Sequence, residues 1–218
     1  MYDVINEVKT KNHRAELDLD YNAESPREWV DNSVMVCSHG SYDLGDVQGN
    51  KKESNNWHDI LVNALIEAYD LEKSIEELTE EEIEELTEDR TVYLPLYLYD
   101  HSGLTMNTTG FHSRWDSGQV GWIFMVEDEV EKNFTGNYFE KRKQAKKELK
   151  SQVRIYDQYI RGEIYNIRLY KRIECECCGQ FSEEFINGAS EIYDVTIDNL
   201  TSIFGEEYEE ILRGLLEF

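Results

Sequence analysis

Two prolines and no glycine- or serine-rich stretch in 218 residues leave no obvious hinge at which a chain could be cut into domains. One α+β domain is expected. No run approaches the ~18 apolar residues that a membrane-spanning helix requires, and the opening Met1-Tyr2-Asp3-Val4 lacks the basic and apolar regions of a secretory leader. A cytoplasmic chain with no membrane partner is expected. Cations are scarce: 22 Lys+Arg stand against 46 Asp+Glu, a net charge of −24. Such a surface repels phosphates, so direct nucleic-acid binding is not expected, and a basic protein partner is. Four cysteines in a chain without a leader read as reduced thiols. The sequence has no phosphate-binding P-loop, no Gly-x-Gly-x-x-Gly, no Gly-x-Ser-x-Gly and no His-Glu-x-x-His. The usual signatures of a nucleotide, dinucleotide, serine-hydrolase or zinc-protease site are therefore missing.

What is present is a core. Aromatic residues make up 12% of the chain, with 14 tyrosines, which excludes a disordered acidic tail. Residues 14–21 alternate strictly, with Ala15, Leu17, Leu19 and Tyr21 against Arg14, Glu16, Asp18 and Asp20, the period of a half-buried strand. Residues 34–37, 92–99, 120–126 and 164–171 also read as strands, with Pro95 marking an edge or a bulge. Residues 39–56 and 100–119 read as loops, and residues 127–161 as one helix closed by Gly162. A helix is expected to open at Asp59, with Leu61, Leu65, Ala68 and Tyr69 on one face, and Thr79 with Glu82 matches a capping box. The last third reads as helical pieces from Ser182. The expected fold is a mainly antiparallel sheet flanked by helices, with residues 1–180 as the core and residues 181–218 as an acidic helical appendage.

Charge is unevenly distributed. Residues 72–89 hold ten acids and one base, Lys73, and residues 183–218 hold ten acids and Arg213 alone. Glu76, Glu77, Glu80, Glu81, Glu84 and Glu85 in the first cluster, and Glu206, Glu207, Glu209 and Glu210 in the second, are candidate binding residues for something cationic. A solvated helix face is the plainer reading. Residues 141–154 form the one basic segment, which suits packing against the acidic surface of this chain or of a second copy; a homodimer is possible.

Polar residues with chemistry gather in two stretches, 28–46 and 99–119. Asp100 and His101 are neighbours in sequence, so on a strand they point to opposite faces and cannot form a dyad. Each needs another partner, such as Asp116 or His39. Asp31, Asp46, Asp100 and Asp116 could hold a divalent cation if folding gathers them. Cys175 and Cys178 frame a Cys-x-x-Cys-Gly turn of the kind that offers two thiolates to zinc, with Cys177 too close to join easily and Cys37 or a histidine as further ligands. No cofactor is expected; zinc or a divalent cation is the alternative.

Several motifs resemble a family. Ser25-Pro-Arg-Glu-Trp-Val-Asp-Asn32, Val34-Met-Val-Cys37, Tyr42-Asp-Leu-Gly-Asp46, Tyr97-Leu-Tyr-Asp-His-Ser-Gly103 and Arg114-Trp-Asp-Ser-Gly-Gln-Val-Gly121 are similar to small acidic proteins of bacteriophages and mobile elements. The similarity covers roughly residues 14–170 and carries no catalytic assignment. It implies an accessory protein in the cytoplasm of a bacterial host cell. The expected function is acidic inhibition, by DNA mimicry or a related route, of a host nucleic-acid-binding or defence protein. The alternative is a metal-assisted hydrolase or nucleotide-binding protein built on Asp100, His101, Asp116 and His39.

Overall fold

The computed structural model describes residues 4–49, 56–113 and 115–217. Among them the chain forms β1 (Val4–Lys9), β2 (His13–Leu19), β3 (Val34–Cys37), β4 (Val47–Gln48), α1 (Trp57–Ala68), α2 (Glu80–Glu84), β5 (Thr91–Asp100), β6 (Leu104–Asn107) and β7 (Ser117–Val126). There follow α3 (Glu127–Asn133), α4 (Tyr138–Arg161), β8 (Tyr165–Glu174), β9 (Phe181–Ile192), α5 (Ile197–Phe204) and α6 (Glu209–Leu215). The class is α+β. No helix of the described residues is long and apolar enough to cross a membrane.

The chain divides into two compact units. One joins its two ends, Met1–Glu24 and Gln158–Phe218; the other, Ser25–Asp157, is inserted between them. Residue 180, the expected end of the core, lies in the turn between β8 and β9.

The unit of the two ends is an antiparallel sheet in the order β1-β2-β8-β9. Alternation puts Ala15, Leu17, Ile167 and Leu169 on one face, where Leu200, Phe204, Ile211, Leu212 and Leu215 of α5 and α6 cover them. The other face is charged. Arg168 reaches Glu16 at 3.1 Å and the fully buried Asp18 at 2.8 Å, and Arg14 reaches Glu183 at 2.8 Å while lying over the Tyr170 ring. The segment from Ser182 to Ile192, expected as helix, is strand β9. Its partner β8 supplies the hydrogen bonds, and its own exposed, acidic residues hide the strand period.

The inserted unit is a mixed sheet in the order β4-β3-β7-β5-β6, with β3 and β4 parallel. Val36 and Phe124 on one face meet Ile60, Leu61, Ala64 and Leu65 of α1. That helix opens at Asn56, whose side chain accepts from the His58 amide at 3.1 Å. Asp59, the expected cap, sits in the first turn, where its charge suits the helix dipole. Pro95 occupies the half of β5 that β6 does not reach, and a bulge follows it between Leu96 and Tyr97. The expected loop 100–119 contains β6 and the start of β7. The expected helix 127–161 is two helices. Gly136 at φ +118 breaks it, and Asn137 and Glu140 then exchange hydrogen bonds across their backbone amides to start α4. At the far end Gly162, at φ +69, closes α4 as expected.

Gly121 lies on β7 directly against β3. A Cβ there would collide with the Val36 carbonyl oxygen, a backbone atom that cannot swing away. Gly121→Ala is expected to destabilise the protein by roughly 2 kcal/mol or more, read as a lower urea midpoint.

Candidate functional site

The acidic segment 72–89 is ordered rather than a loose tail. Glu77 accepts from the Ser74 amide at 2.8 Å, and Glu82 from the Thr79 amide at 2.9 Å, so two successive turns are each closed by a capping box. The Ser74 amide holds Glu77 below the usual carboxylate range; Lys73, then the Thr79 amide, does the same for Glu82. Leu86 and Thr87 anchor the segment, Leu86 within the α1 core and Thr87 through a 2.9 Å bond to the Ile83 carbonyl. Its C-terminal end is held by Arg142, which donates to the carbonyls of Glu88 at 2.7 Å, Asp89 at 3.1 Å and Thr91 at 2.6 Å while pairing with Glu127 at 3.0 Å. Glu88 also accepts from Tyr93 at 2.8 Å; burial, then Glu88, pushes that phenol up to about 12.

Two cations beside the segment are engaged. Lys73 lies on Glu82, and Arg90 lies over the Tyr69 ring at 4.3 Å. Glu76, Glu77, Glu80, Glu81, Glu84 and Glu85 are all exposed, as are Glu72, Glu88 and Asp89. Together they form an acidic ledge on the inserted unit. Glu206, Glu207, Glu209 and Glu210 are exposed too, on the unit of the two ends, around a shallow groove of about 600 Å³ that includes Arg213 and Glu217. Glu183, counted with them in the sequence, instead pairs with Arg14.

The two polar stretches partly converge at one end of the mixed sheet. His39 stacks on Tyr42 at 4.9 Å, and the Tyr42 hydroxyl donates to Asp100 at 3.3 Å. The Asp100 amide donates to the Asp116 carbonyl at 2.8 Å, and Asp116 lies 3.9 Å from His101 Nδ1. So His39, Asp100, His101 and Asp116 share one rim, but His101 is 63% exposed and Asp116 39%, so their contact is open to water. The other two candidates do not join. Asp31 is exposed and, among the described residues, makes no hydrogen bond to the rim. Asp46 is a structural group: Arg27 donates to it at 2.9 and 2.6 Å, and the Met35 amide at 2.7 Å. The same Arg27 donates to Gln152 at 3.1 Å and to the Ser33 carbonyl at 3.0 Å, all buried. A four-aspartate cation site is therefore not assembled.

Cys37 is sealed in the core, its thiol pushed up to about 12 by burial and then by Asp46, which removes it as a zinc ligand. Cys177, set aside in the sequence, is brought in. The thiols of Cys175, Cys177 and Cys178 lie within 4.8 Å of one another in the β8–β9 turn, a cluster able to hold a metal ion. Hydrogen bonding from Cys177, and then from the backbone amides of Cys177 and Cys178, lowers Cys175 to about 7, while Cys177 is raised by Cys175.

The basic helix divides its cations. Lys141 pairs with Glu131, and Arg142 is consumed as above. Lys143, Lys146, Lys147 and Lys150 fall on one helical face, exposed, with no ion pair among the described residues. Phe139, 80% exposed, continues that face in a groove of about 1070 Å³. The i, i+4, i+7 spacing could have revealed this stripe from the sequence. Comparison of the chain with protein-family models, with curated proteins and with solved structures gives no match.

Two outcomes follow from this geometry. Asp46→Ala leaves the buried Arg27 unpaired and is expected to cost roughly 3 kcal/mol in urea unfolding. Iodoacetamide labelling read by mass spectrometry is expected to mark Cys175 first, with a rate half-maximal near pH 7, and to leave Cys37 unmodified in the folded protein.

Proposed function

We propose that the protein is a non-catalytic modulator that docks its acidic ledge into a basic, nucleic-acid-binding groove of another protein. The carrying observation is the fixed exposure of nine carboxylates within residues 72–89, whose one internal base is already paired. Charge density supports the reading. Glu80, Glu81, Glu84 and Glu85 span six residues, roughly 9 Å of helix, or about one charge per 2.3 Å. A DNA duplex carries one per roughly 1.7 Å and a single strand one per about 3.4 Å, so the ledge falls between them. Steering by such a field speeds encounter and weakens with salt.

The resemblance to acidic proteins of phages and mobile elements suggests a bacterial host protein as the partner, within the host cytoplasm. The second reading, a ligand or hydrolytic site on the loop rim, is favoured by the contact between Tyr42 and Asp100. It is weakened by the water around His101 and by the commitment of Asp46 to Arg27.

The test uses duplex DNA immobilised on a resin and loaded with DNA-binding proteins from a bacterial extract. The protein is expected to elute a bound component at low salt and to lose that ability at high salt. A variant with Glu76, Glu80, Glu81, Glu84 and Glu85 each changed to Gln keeps both capping boxes and is expected to elute nothing. Equal elution by the variant, or elution indifferent to salt, overturns the proposal.

A further inference from the structure

The tip of the β8–β9 hairpin carries chemistry that the acidic ledge does not use. Strands β8 and β9 pair as far as Glu174 and Phe181, and residues 175–180 turn between them. The turn is tightly closed: the Cys175 amide donates to the Gln180 carbonyl at 2.8 Å, and the Gly179 amide to the Cys175 carbonyl at 2.8 Å. Gly179 adopts φ +68, a left-handed backbone that suits glycine. This reversal folds Cys177 and Cys178 back over Cys175. A strand would have sent the side chains of neighbouring residues to opposite sides. All three sulfurs therefore fall on one spot.

We propose that Cys175, Cys177 and Cys178 form a three-thiolate site for zinc, with the fourth coordination position open. Four sulfurs around zinc at about 2.3 Å lie roughly 3.8 Å apart at tetrahedral angles. The three thiols are already within 4.8 Å of one another, so side-chain rotation alone closes the difference. The donor set is purely soft, which favours zinc or copper(I) over magnesium or calcium. Among the described residues, no histidine or carboxylate lies within that cluster. A bound zinc would therefore keep a position for water or for a ligand from another molecule. Binding exchanges thiol protons for the metal: up to three protons leave as three Zn–S bonds form, and no electron is transferred. Cys177 and Cys178 are exposed and Cys175 partly so, all outside the buried core, so loading should stiffen the hairpin without being needed for folding.

The experiment uses the full chain, reduced and freed of metal by a chelator that is then removed. Cobalt(II) serves as the spectroscopic probe, followed by zinc as competitor. The expected result is one cobalt per chain, with thiolate charge-transfer and tetrahedral ligand-field absorption that zinc abolishes, together with proton release. Cys175→Ser, Cys177→Ser and Cys178→Ser should each weaken binding by about 10-fold or more. Circular dichroism unchanged in each variant keeps a binding loss separate from misfolding. Absence of the thiolate band in the reduced protein overturns the proposal. So does a Cys177→Ser variant that binds like the parent, since that leaves an ordinary two-cysteine pair. Copper(I) that binds stoichiometrically while zinc fails to displace cobalt overturns the choice of metal.

Discussion

Arginine holds this protein together, because a chain with 22 cations for 46 carboxylates can use few of them freely. Arg27 binds Asp46 through two nitrogens and also reaches Gln152 and Ser33, joining distant parts of the inserted unit in one buried network. Arg142 gathers three carbonyls and one carboxylate at the end of the acidic segment. In the other unit Arg168 lies between Glu16 and Asp18, and Arg14 between Glu7, Glu16 and Glu183. Each joint uses the planar fork of several donors, which a lysine ammonium lacks. The consequence is one of allocation. With these four arginines committed, the exposed carboxylates of residues 72–89 have only Lys73 within their own segment, and Glu82 already holds it.

The parts of the fold that were legible in the sequence are the ones fixed locally. The alternation of residues 14–21 declares β2, the apolar runs declare β5 and β7, and Gly162 declares the end of α4, because each signal lies within a few residues of its effect. Strand β9 was hidden because its stabilising partner is β8 and its exposed faces carry no alternation. The four residues of β6 owe their existence to pairing with β5. The two-unit organisation was invisible for a different reason. The chain re-enters the first unit at Gln158, in the last turn of α4, so no linker composition marks the crossing.

The candidate sites divide in the same way. The acidic ledge could be read because capping boxes are local grammar. Asp46 was misread as a candidate ligand since nothing in the sequence announces that Arg27, 19 residues earlier, takes both of its oxygens. Cys177 was misjudged because adjacency in sequence says little once a left-handed glycine doubles the chain back on itself. In each case the deciding fact is a backbone reversal or a tertiary partner rather than a residue type.

The ledge also has a boundary, and that boundary bears on how a partner could approach. Like charges at i and i+4, as in Glu80 with Glu84 and Glu81 with Glu85, cost a short helix a few tenths of a kcal/mol each. The segment keeps its form because Leu86 is buried and Arg142 caps its end. Ordering has thus been done before any encounter, and a partner need not supply it, unlike one that binds a disordered acidic tail. On the same unit, Glu88 borders the groove that holds Lys143, Lys146, Lys147 and Lys150. A basic groove sliding toward that helix would meet four exposed ammonium groups, and like charges brought together are costly. Attraction on one side of Glu88 and repulsion on the other therefore restrict a cationic partner to the carboxylates of residues 72–89. In the proposed complex this local charge pattern would set the direction of docking as well as its strength.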